Sequence, residues 1–158
     1  MIIGIGTNKQ QALSASLKYF LLSALSTAFL LLALTMIYHI TGSLEYESVY
    51  LAAFHNPIDL PVILMILALI FKLGAAPLHF WAPDLYNNTP LPVTAYISNI
   101  PKIVYLLLIL DLAEFLSCQF NFFIIAGFIS LIVGTLGLFQ QLRIKRFLAF
   151  SGIANVGY

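Results

Sequence analysis

The chain has 158 residues, of which 61% are hydrophobic and only 8% are charged, and its formal net charge at pH 7 is +1. This composition is far more apolar than that of an ordinary soluble domain and is typical of integral membrane proteins. The near-zero charge gives no basis for nucleic-acid binding. A lone cysteine, Cys118, excludes an internal disulfide and an iron–sulfur cluster, which usually takes four cysteines.

Four apolar runs are long enough to cross a bilayer, which takes about 20 residues of helix. They are Tyr19–Tyr38, Leu60–Trp81, Pro92–Leu112 and Phe122–Phe139. A further stretch, Phe147–Tyr158, has the character of the beginning of a fifth helix. We therefore predict an all-α integral membrane fold with about four full spans and the start of a fifth. Residues 1–158 form a single transmembrane segment in this interpretation.

The connections between the runs are polar. His39–Asp59 follows the first run, and the turn-rich residues 83–90 follow the second. We expect the acidic residues of the connections to be solvated loop charges, namely Glu45, Glu47, Asp59, Asp111 and Glu114. We likewise expect His39 and His55 to lie at the surface.

Basic residues at the ends of the runs predict the orientation. Lys9 and Lys18 precede the first run, and Arg143, Lys145 and Arg146 follow the fourth. Because four spans separate the two groups, both should lie on the same face of the membrane. The positive-inside rule makes that face the cytoplasmic or matrix side.

Two lysines lie alone in the middle of apolar runs. At about 1.5 Å per residue, Lys72 lies roughly 18 Å in from Leu60, and Lys102 lies about 15 Å in from Pro92. A hydrocarbon core of about 30 Å places both near its middle. A charge there costs several kcal/mol on any scale, so each lysine is a candidate proton carrier. The alternative is a structural lysine that donates hydrogen bonds to freed backbone carbonyls.

A proline lies near each of these lysines: Pro77 follows Lys72, and Pro101 directly precedes Lys102. Pro77 removes the helical bond to the Leu73 carbonyl, and Pro101 frees the Ile97 carbonyl. Freed backbone groups persist at membrane depth only where protein or water satisfies them. Transporters use broken helices near the midplane to handle ions. We predict such a broken helix near Lys72–Pro77 and a second helix break at Pro101.

Two further residues have both a functional and an ordinary explanation. Lys18 stands at the start of the first run, where a positive-inside anchor is the ordinary explanation and a proton-pathway role is the alternative. His79 follows Pro77 and could shuttle protons, because histidine titrates near neutrality. A packed, hydrogen-bonded histidine is an equal alternative.

The chain lacks the motifs that hold redox cofactors or metals. Gly4 and Gly6 are followed by Lys9 where a dinucleotide fingerprint needs its third glycine. Neither a phosphate-binding loop nor a paired-histidine metal motif is present. We expect no cofactor, no metal and no redox catalytic residue in this chain.

The segment Phe71–Pro92 carries a family resemblance. Phe-Lys-Leu-Gly-Ala-Ala-Pro-Leu-His-Phe-Trp-Ala-Pro-Asp-Leu-Tyr, from Phe71, and Thr-Pro-Leu-Pro-Val-Thr-Ala, from Thr89, closely resemble the N-type, or chain 2, subunits of proton-pumping NADH:ubiquinone oxidoreductase, respiratory complex I. Three more segments agree in order along the chain: Leu17–Phe20, Ile100–Ile103 and Lys145–Tyr158.

The resemblance implies roles for individual residues. Lys72 corresponds to the proton-accepting lysine on the broken helix, and Lys102 to the central lysine of the hydrated axis. Lys18 corresponds to a lysine near the proton entry. The implied function is a membrane-arm subunit that contributes buried lysines to proton translocation coupled to quinone reduction. NADH, FMN, iron–sulfur clusters and ubiquinone are expected elsewhere in the complex.

The chain departs from the family pattern in two ways. Ser14 stands where the family has an acidic residue four positions before Lys18, so an entry carboxylate is missing. The resemblance also implies that the glutamate partner of Lys72 and a second, inverted set of helices lie outside this chain. We therefore expect a partial or split subunit whose partners are lipids and other membrane-arm subunits, including chains with the missing helices.

The expected location is the mitochondrial inner membrane as a multi-pass protein, with the bacterial plasma membrane as the alternative. Two other functions stay open. A subunit of a multi-subunit sodium/proton antiporter would share the fold and the lysines. A non-conducting scaffold fragment of the membrane arm is the third interpretation, and Ser14 favours it.

Overall fold

The computed structural model describes residues 9–53, 58–113 and 120–158. The described residues form helices and no strands, which confirms the predicted all-α fold. The helices are α1 (Lys9–Thr41), α2 (Tyr46–Ala53), α3 (Asp59–Leu73), α4 (Trp81–Asn88), α5 (Leu91–Asp111), α6 (Phe120–Phe139) and α7 (Ile144–Gly157). The expectations for Gly4, Gly6, His55, Glu114 and Cys118 fall outside the described residues, as does the side chain of Lys9.

Three helices in the described part of the chain are long and apolar enough to cross a membrane. They are Ala12–Thr41 in α1, Leu91–Asp111, which is α5, and Phe120–Phe139, which is α6. These agree with the first, third and fourth predicted runs. The first helix, however, begins at Lys9 rather than near Tyr19, so Lys18 lies inside the helix and not at its start.

The second predicted run is not one continuous helix, because α3 ends at Leu73. Gly74 has a φ of 74°. Its N–H donates to the Phe71 carbonyl, and the N–H of Ala75 donates to the Ile70 carbonyl, each at 3.0 Å. This pair of bonds is a Schellman motif, which needs a left-handed residue and therefore favours glycine. The break lies where the sequence predicts it, but Gly74 ends the helix before Pro77 is reached.

Two predicted connections contain helices. Trp81–Asn88 forms α4, although residues 83–90 were expected to form a turn-rich connection. Pro83 is tolerated there because it lies in the first helical turn, where backbone N–H groups have no helical partner. The polar stretch after α1 similarly contains α2, Tyr46–Ala53.

The short helix α3 lies at the centre of the bundle. It packs against α1, α5 and α6, and Ser26 of α1 donates a hydrogen bond to the Ala68 carbonyl of α3 at 3.1 Å. A helix surrounded by other helices is apolar on all sides. The core around it includes Ala33, Ile37, Val62, Ile66 and Leu69, whose exposed fractions are 2% or less.

The helices α6 and α7 approach each other closely along a face of small residues on α6: Gly127, Ser130, Gly134 and Gly137. A Cβ atom on Gly134 would lie 2.6 Å from the backbone nitrogen of Ala154. Small residues allow such backbone contact, which is a common way for helices to associate within membranes. This contact fixes α7, and with it one wall of the groove beside Lys102.

Candidate functional site

The segment between α3 and α4 is fixed by side-chain hydrogen bonds. The Oγ of Ser130 accepts a bond from the N–H of Ala76 at 2.8 Å and donates to the Ala126 carbonyl at 2.6 Å. The Nε1 of Trp81 donates to the Phe71 carbonyl at 3.2 Å. Backbone groups at the end of α3 and in the segment that follows it are therefore satisfied by side chains of α4 and α6. The result is a fixed position for Lys72, one residue before the end of α3.

Lys72 projects from α3 toward α1 and α5. Its Nζ donates a hydrogen bond to the Oγ1 of Thr27 at 3.2 Å. The same atom lies 5.4 Å from the centre of the Tyr105 ring. A cation over a tyrosine ring is stabilised by roughly 0.5–2 kcal/mol, depending on how desolvated the pair is. Both contacts stabilise the ammonium group without a carboxylate.

Lys102 lies in α5 and reaches across to α7. Its Nζ donates a hydrogen bond to the Gly152 carbonyl at 3.3 Å. A Cβ atom on Gly152 would stand 3.3 Å from that Nζ, so glycine leaves room for the amine to approach the backbone. The helix break predicted at Pro101 is wrong, because α5 continues through this proline from Leu91 to Asp111.

The two lysines line the same small cavity. Its volume is about 30 Å³, and besides the lysines its polar lining consists of Tyr19, Ser23 and Tyr105. A cavity needs roughly 10–15 Å³ of such volume, together with polar partners, to hold one water molecule. The cavity is therefore large enough for one or two waters between the two amines. The sequence predicted that both lysines lie at membrane depth but could not show that they share one cavity.

Lys102 also lines a second, larger space. This groove, about 740 Å³ in volume, runs between α5 and α7. Its polar side chains include Thr94, Ser98, Asn99, Lys145, Ser151 and Asn155. Lys102 is thus the residue that the small cavity and the groove have in common.

The predicted alternative for both lysines was a bond to a carbonyl freed by proline. The observed partners are a threonine hydroxyl for Lys72 and the Gly152 carbonyl for Lys102. Neither amine donates a hydrogen bond to the Leu73 or the Ile97 carbonyl. The observed contacts therefore do not depend on the prolines.

His79 is buried but does not line the cavity of the two lysines. Its ring lies 4.7 Å from that of Phe80 and 6.4 Å from that of Phe150 of α7. Its Nδ1 has no hydrogen-bond partner among the described residues. The structure thus brings His79 onto the broken segment without bringing it to the lysines.

Charged residues from distant parts of the chain meet at Asp84 of α4. The Nζ of Lys18 lies 3.8 Å from one carboxylate oxygen, and the Nη2 of Arg146 lies 3.2 Å from the other. This shared partner agrees with the prediction that both basic groups lie on one face. Sequence reasoning missed Asp84, because the segment around it was expected to be a connection rather than a helix. The only available signal was its position within the family-like segment.

Replacing Asp84 with asparagine should destabilise the bundle modestly. Both ion pairs are partly exposed, with side-chain exposures of 67% for Lys18 and 39% for Arg146. Such pairs contribute about 0–1 kcal/mol each and are screened by salt. We expect a lower melting temperature at low ionic strength and a smaller difference at high ionic strength. Glu47→Gln on α2 is the control, and an equal effect in that variant would contradict this role.

Potential metal ligands are not clustered in this part of the chain. Within residues 9–53, 58–113 and 120–158, no group of three His, Cys, Asp or Glu side chains could hold a metal ion. The polar chemistry of the site therefore rests on amines, hydroxyls and backbone carbonyls.

Comparison with known protein families identifies one match over the whole chain. The model described as NADH:quinone oxidoreductase/Mrp antiporter, TM, matches residues 1–158. NADH-ubiquinone oxidoreductase chain 2 of Rhizopus oryzae is 39% identical over 158 residues, covering 94% of this chain and 30% of the relative. NADH-quinone oxidoreductase subunit N of Hydrogenovibrio crunogenus is 35% identical over 167 residues, covering 99% of this chain and 35% of the relative.

Solved structures contain the same fold. A chain of respiratory complex I from Thermus thermophilus with bound aureothin matches with a TM-score of 0.76 and 31% identity, over 99% of this chain and 35% of its own length. A chain of the archaeal membrane-bound sulfane sulfur reductase matches with a TM-score of 0.88 and 25% identity, over 99% of this chain and 34% of its own. The chain therefore spans about a third of the length of the relatives that it matches.

Proposed function

Because the chain belongs to the NADH:quinone oxidoreductase/Mrp antiporter transmembrane family, we propose that it works as a segment of a proton-translocating membrane-arm subunit. The relatives named chain 2 and subunit N favour NADH:quinone oxidoreductase as the parent enzyme. In this proposal the chain assembles with other membrane-arm subunits, including segments that correspond to the rest of its relatives' length. NADH, FMN, iron–sulfur clusters and ubiquinone bind elsewhere in that enzyme.

The shared cavity of Lys72 and Lys102 is the observation that carries this proposal. A proton moves between the two amines through the water that the cavity can hold. One N–H bond of the Lys72 ammonium breaks, and one N–H bond forms on the neutral Lys102 amine. The total charge of the two lysines stays constant. Repulsion between like charges in this low-dielectric space favours one ammonium group in the pair over two.

The surrounding residues stabilise the charged form on each side. Thr27 and the Tyr105 ring contact the Lys72 ammonium, and the Gly152 carbonyl accepts a bond from Lys102. Because neither lysine has a carboxylate within salt-bridge distance among the described residues, a modest change in outside charge would move the proton. Quinone reduction elsewhere in the enzyme would supply that change.

We place Lys18 at the entry side of this path. Its neighbour along the chain, Tyr19, lines the lysine cavity, and its ion-pair partner is Asp84. Asp84 thus offers a carboxylate to Lys18 from α4, although Ser14 lacks one. The role of His79 stays a prediction.

To test this function, gently solubilised membranes are separated under native conditions, and the assembly that contains this chain is identified. We expect it in an assembly with NADH dehydrogenase activity that pumps protons without sodium, in an inner mitochondrial or bacterial plasma membrane. The family model also names the Mrp antiporters. Sodium-dependent transport that does not need NADH, in an assembly without redox subunits, would replace our proposal with the antiporter.

A further inference from the structure

Another polar cavity lies at one end of the bundle, apart from both the lysine cavity and the groove between α5 and α7. Its volume is about 420 Å³. It is lined by Asn87, Asn88, Gln140, Gln141, Leu142, Arg143 and Arg146. These residues come from the end of α4, the turn between α6 and α7, and the first turn of α7. The lining contains two guanidinium groups and four amides but no carboxylate, so it presents mainly hydrogen-bond donors to an anion.

The charges around this cavity are not balanced. Asp84 pairs with both Lys18 and Arg146. Arg143 and Lys145 have no carboxylate partner among the residues that the structure describes, and Lys145 instead donates to the Thr89 carbonyl at 2.6 Å. Among the described residues, this end of the bundle therefore carries four positive charges but only the one carboxylate of Asp84. The four cations are Lys18, Arg143, Lys145 and Arg146. An excess of positive charge beside a low-dielectric bundle attracts an anion from outside.

The lining side chains also have free donor capacity. Those of Gln140, Gln141 and Arg143 make no hydrogen bond within the described ranges. Arg146 uses Nη2 for Asp84, and its buried Nε has no partner among the described residues. Arginine can bind a phosphate through two parallel hydrogen bonds, which makes it well suited to such a group.

The position of the cavity indicates the kind of anion. The membrane-crossing helix α6 ends at Phe139, so the turn that follows lies at the level of the lipid headgroups. Apolar side chains on either side of the arginines are open to the surroundings, with exposed fractions of 88% for Phe139, 101% for Leu142 and 78% for Ile144. A lipid tail can cover such side chains, whereas a free phosphate cannot.

We propose that this cavity binds the phosphate group of an anionic phospholipid. Arg143 and Arg146 contact the phosphodiester, and the amides of Gln140 and Gln141 contact neighbouring ester or glycerol oxygens. The acyl chains lie against Leu142 and Ile144. Basic pockets on the inner face of membrane proteins bind anionic headgroups in this way. The predicted inside location of these basic residues agrees with that leaflet.

The test uses the detergent-extracted assembly that contains this chain and native mass spectrometry of bound adducts. The probes are short-chain phosphatidylglycerol, phosphatidylcholine with the same chains, and inorganic phosphate. We expect phosphatidylglycerol to bind more tightly than the other two. Arg143→Gln should weaken its binding about five-fold, the effect of one basic residue near an anionic surface. Arg143→Lys should fall between Arg143→Gln and the unmodified chain.

Asn121→Ala, at the other end of α6, is the matched control and should bind as the unmodified assembly does. Arg143 is an exposed turn residue, so its variants should assemble at normal levels. Equal binding of the two phospholipids, or unchanged affinity in Arg143→Gln, would overturn the proposal. Inorganic phosphate binding as tightly as phosphatidylglycerol would show that the lipid is not the ligand. The pumping proposal does not depend on this site and would stand in either case.

Discussion

Proton pumping should fall sharply when Lys72 or Lys102 is replaced with methionine, while the assembly still forms. Methionine keeps the length of the side chain but cannot carry a proton. Loss of a positioned proton-transfer group typically costs about 100-fold or more in the rate of that step. The measurement is the ratio of protons moved to electrons transferred in proteoliposomes. Because both residues line one cavity, the double variant should lose little more than either single variant.

Arginine substitutions separate proton transfer from a structural role. Arginine keeps the positive charge but does not release its proton in proteins. Lys72→Arg and Lys102→Arg should therefore fail to pump as the methionine variants do. If arginine restores pumping, the lysines serve as fixed charges. Lys145→Met is the control: it removes an amine from the groove without touching the lysine cavity. An unchanged proton-to-electron ratio in the methionine variants would refute the relay.

Replacing Gly134 with alanine should cause the largest structural effect. The added Cβ would lie 2.6 Å from the nitrogen and 2.8 Å from the Cα of Ala154, both backbone atoms of α7. Because backbone cannot rotate away, α6 and α7 must separate, at a cost of about 1–3 kcal/mol or more. We expect a lower amount of assembled complex and a lower melting temperature, and Gly134→Val should be worse.

Gly134→Ala should also disturb the lysine site, because two hydrogen bonds connect α6 and α7 to it. Ser130, one turn before Gly134, binds the N–H of Ala76 in the broken segment, and Gly152 of α7 binds Lys102. The remaining assembled complex should therefore also pump less. Gly137→Ala is the matched comparison, because the three atoms nearest to its added Cβ would all belong to the Phe150 side chain and none to the backbone of α7. Leu136 lies on the exposed face of α6, so Leu136→Ala should change neither the amount of assembled complex nor its proton pumping. If all three variants behave alike, close backbone packing is not the cause.

The helical fold could be predicted because the required signals are local. Runs of about 20 apolar residues have few alternatives to membrane helices, and α5 and α6 begin and end close to their predicted bounds. The early start of α1 was missed because its first turns contain polar residues. The helix α4 was missed because proline and asparagine signal turns, whereas the first helical turn accepts proline.

The sequence by itself determined that the chain is an all-helical membrane protein and that a helix breaks beside Lys72, and it predicted a position at bilayer depth for Lys72 and Lys102. Each of these conclusions depends on the order of residue types along one segment. Only the tertiary structure decided that the two lysines share a cavity and that Lys18 and Arg146 meet at Asp84. It likewise decided that Gly152 receives the Lys102 amine. These contacts join residues that are far apart in the chain. Because they depend on how α1, α3, α5 and α7 pack, no local pattern encodes them.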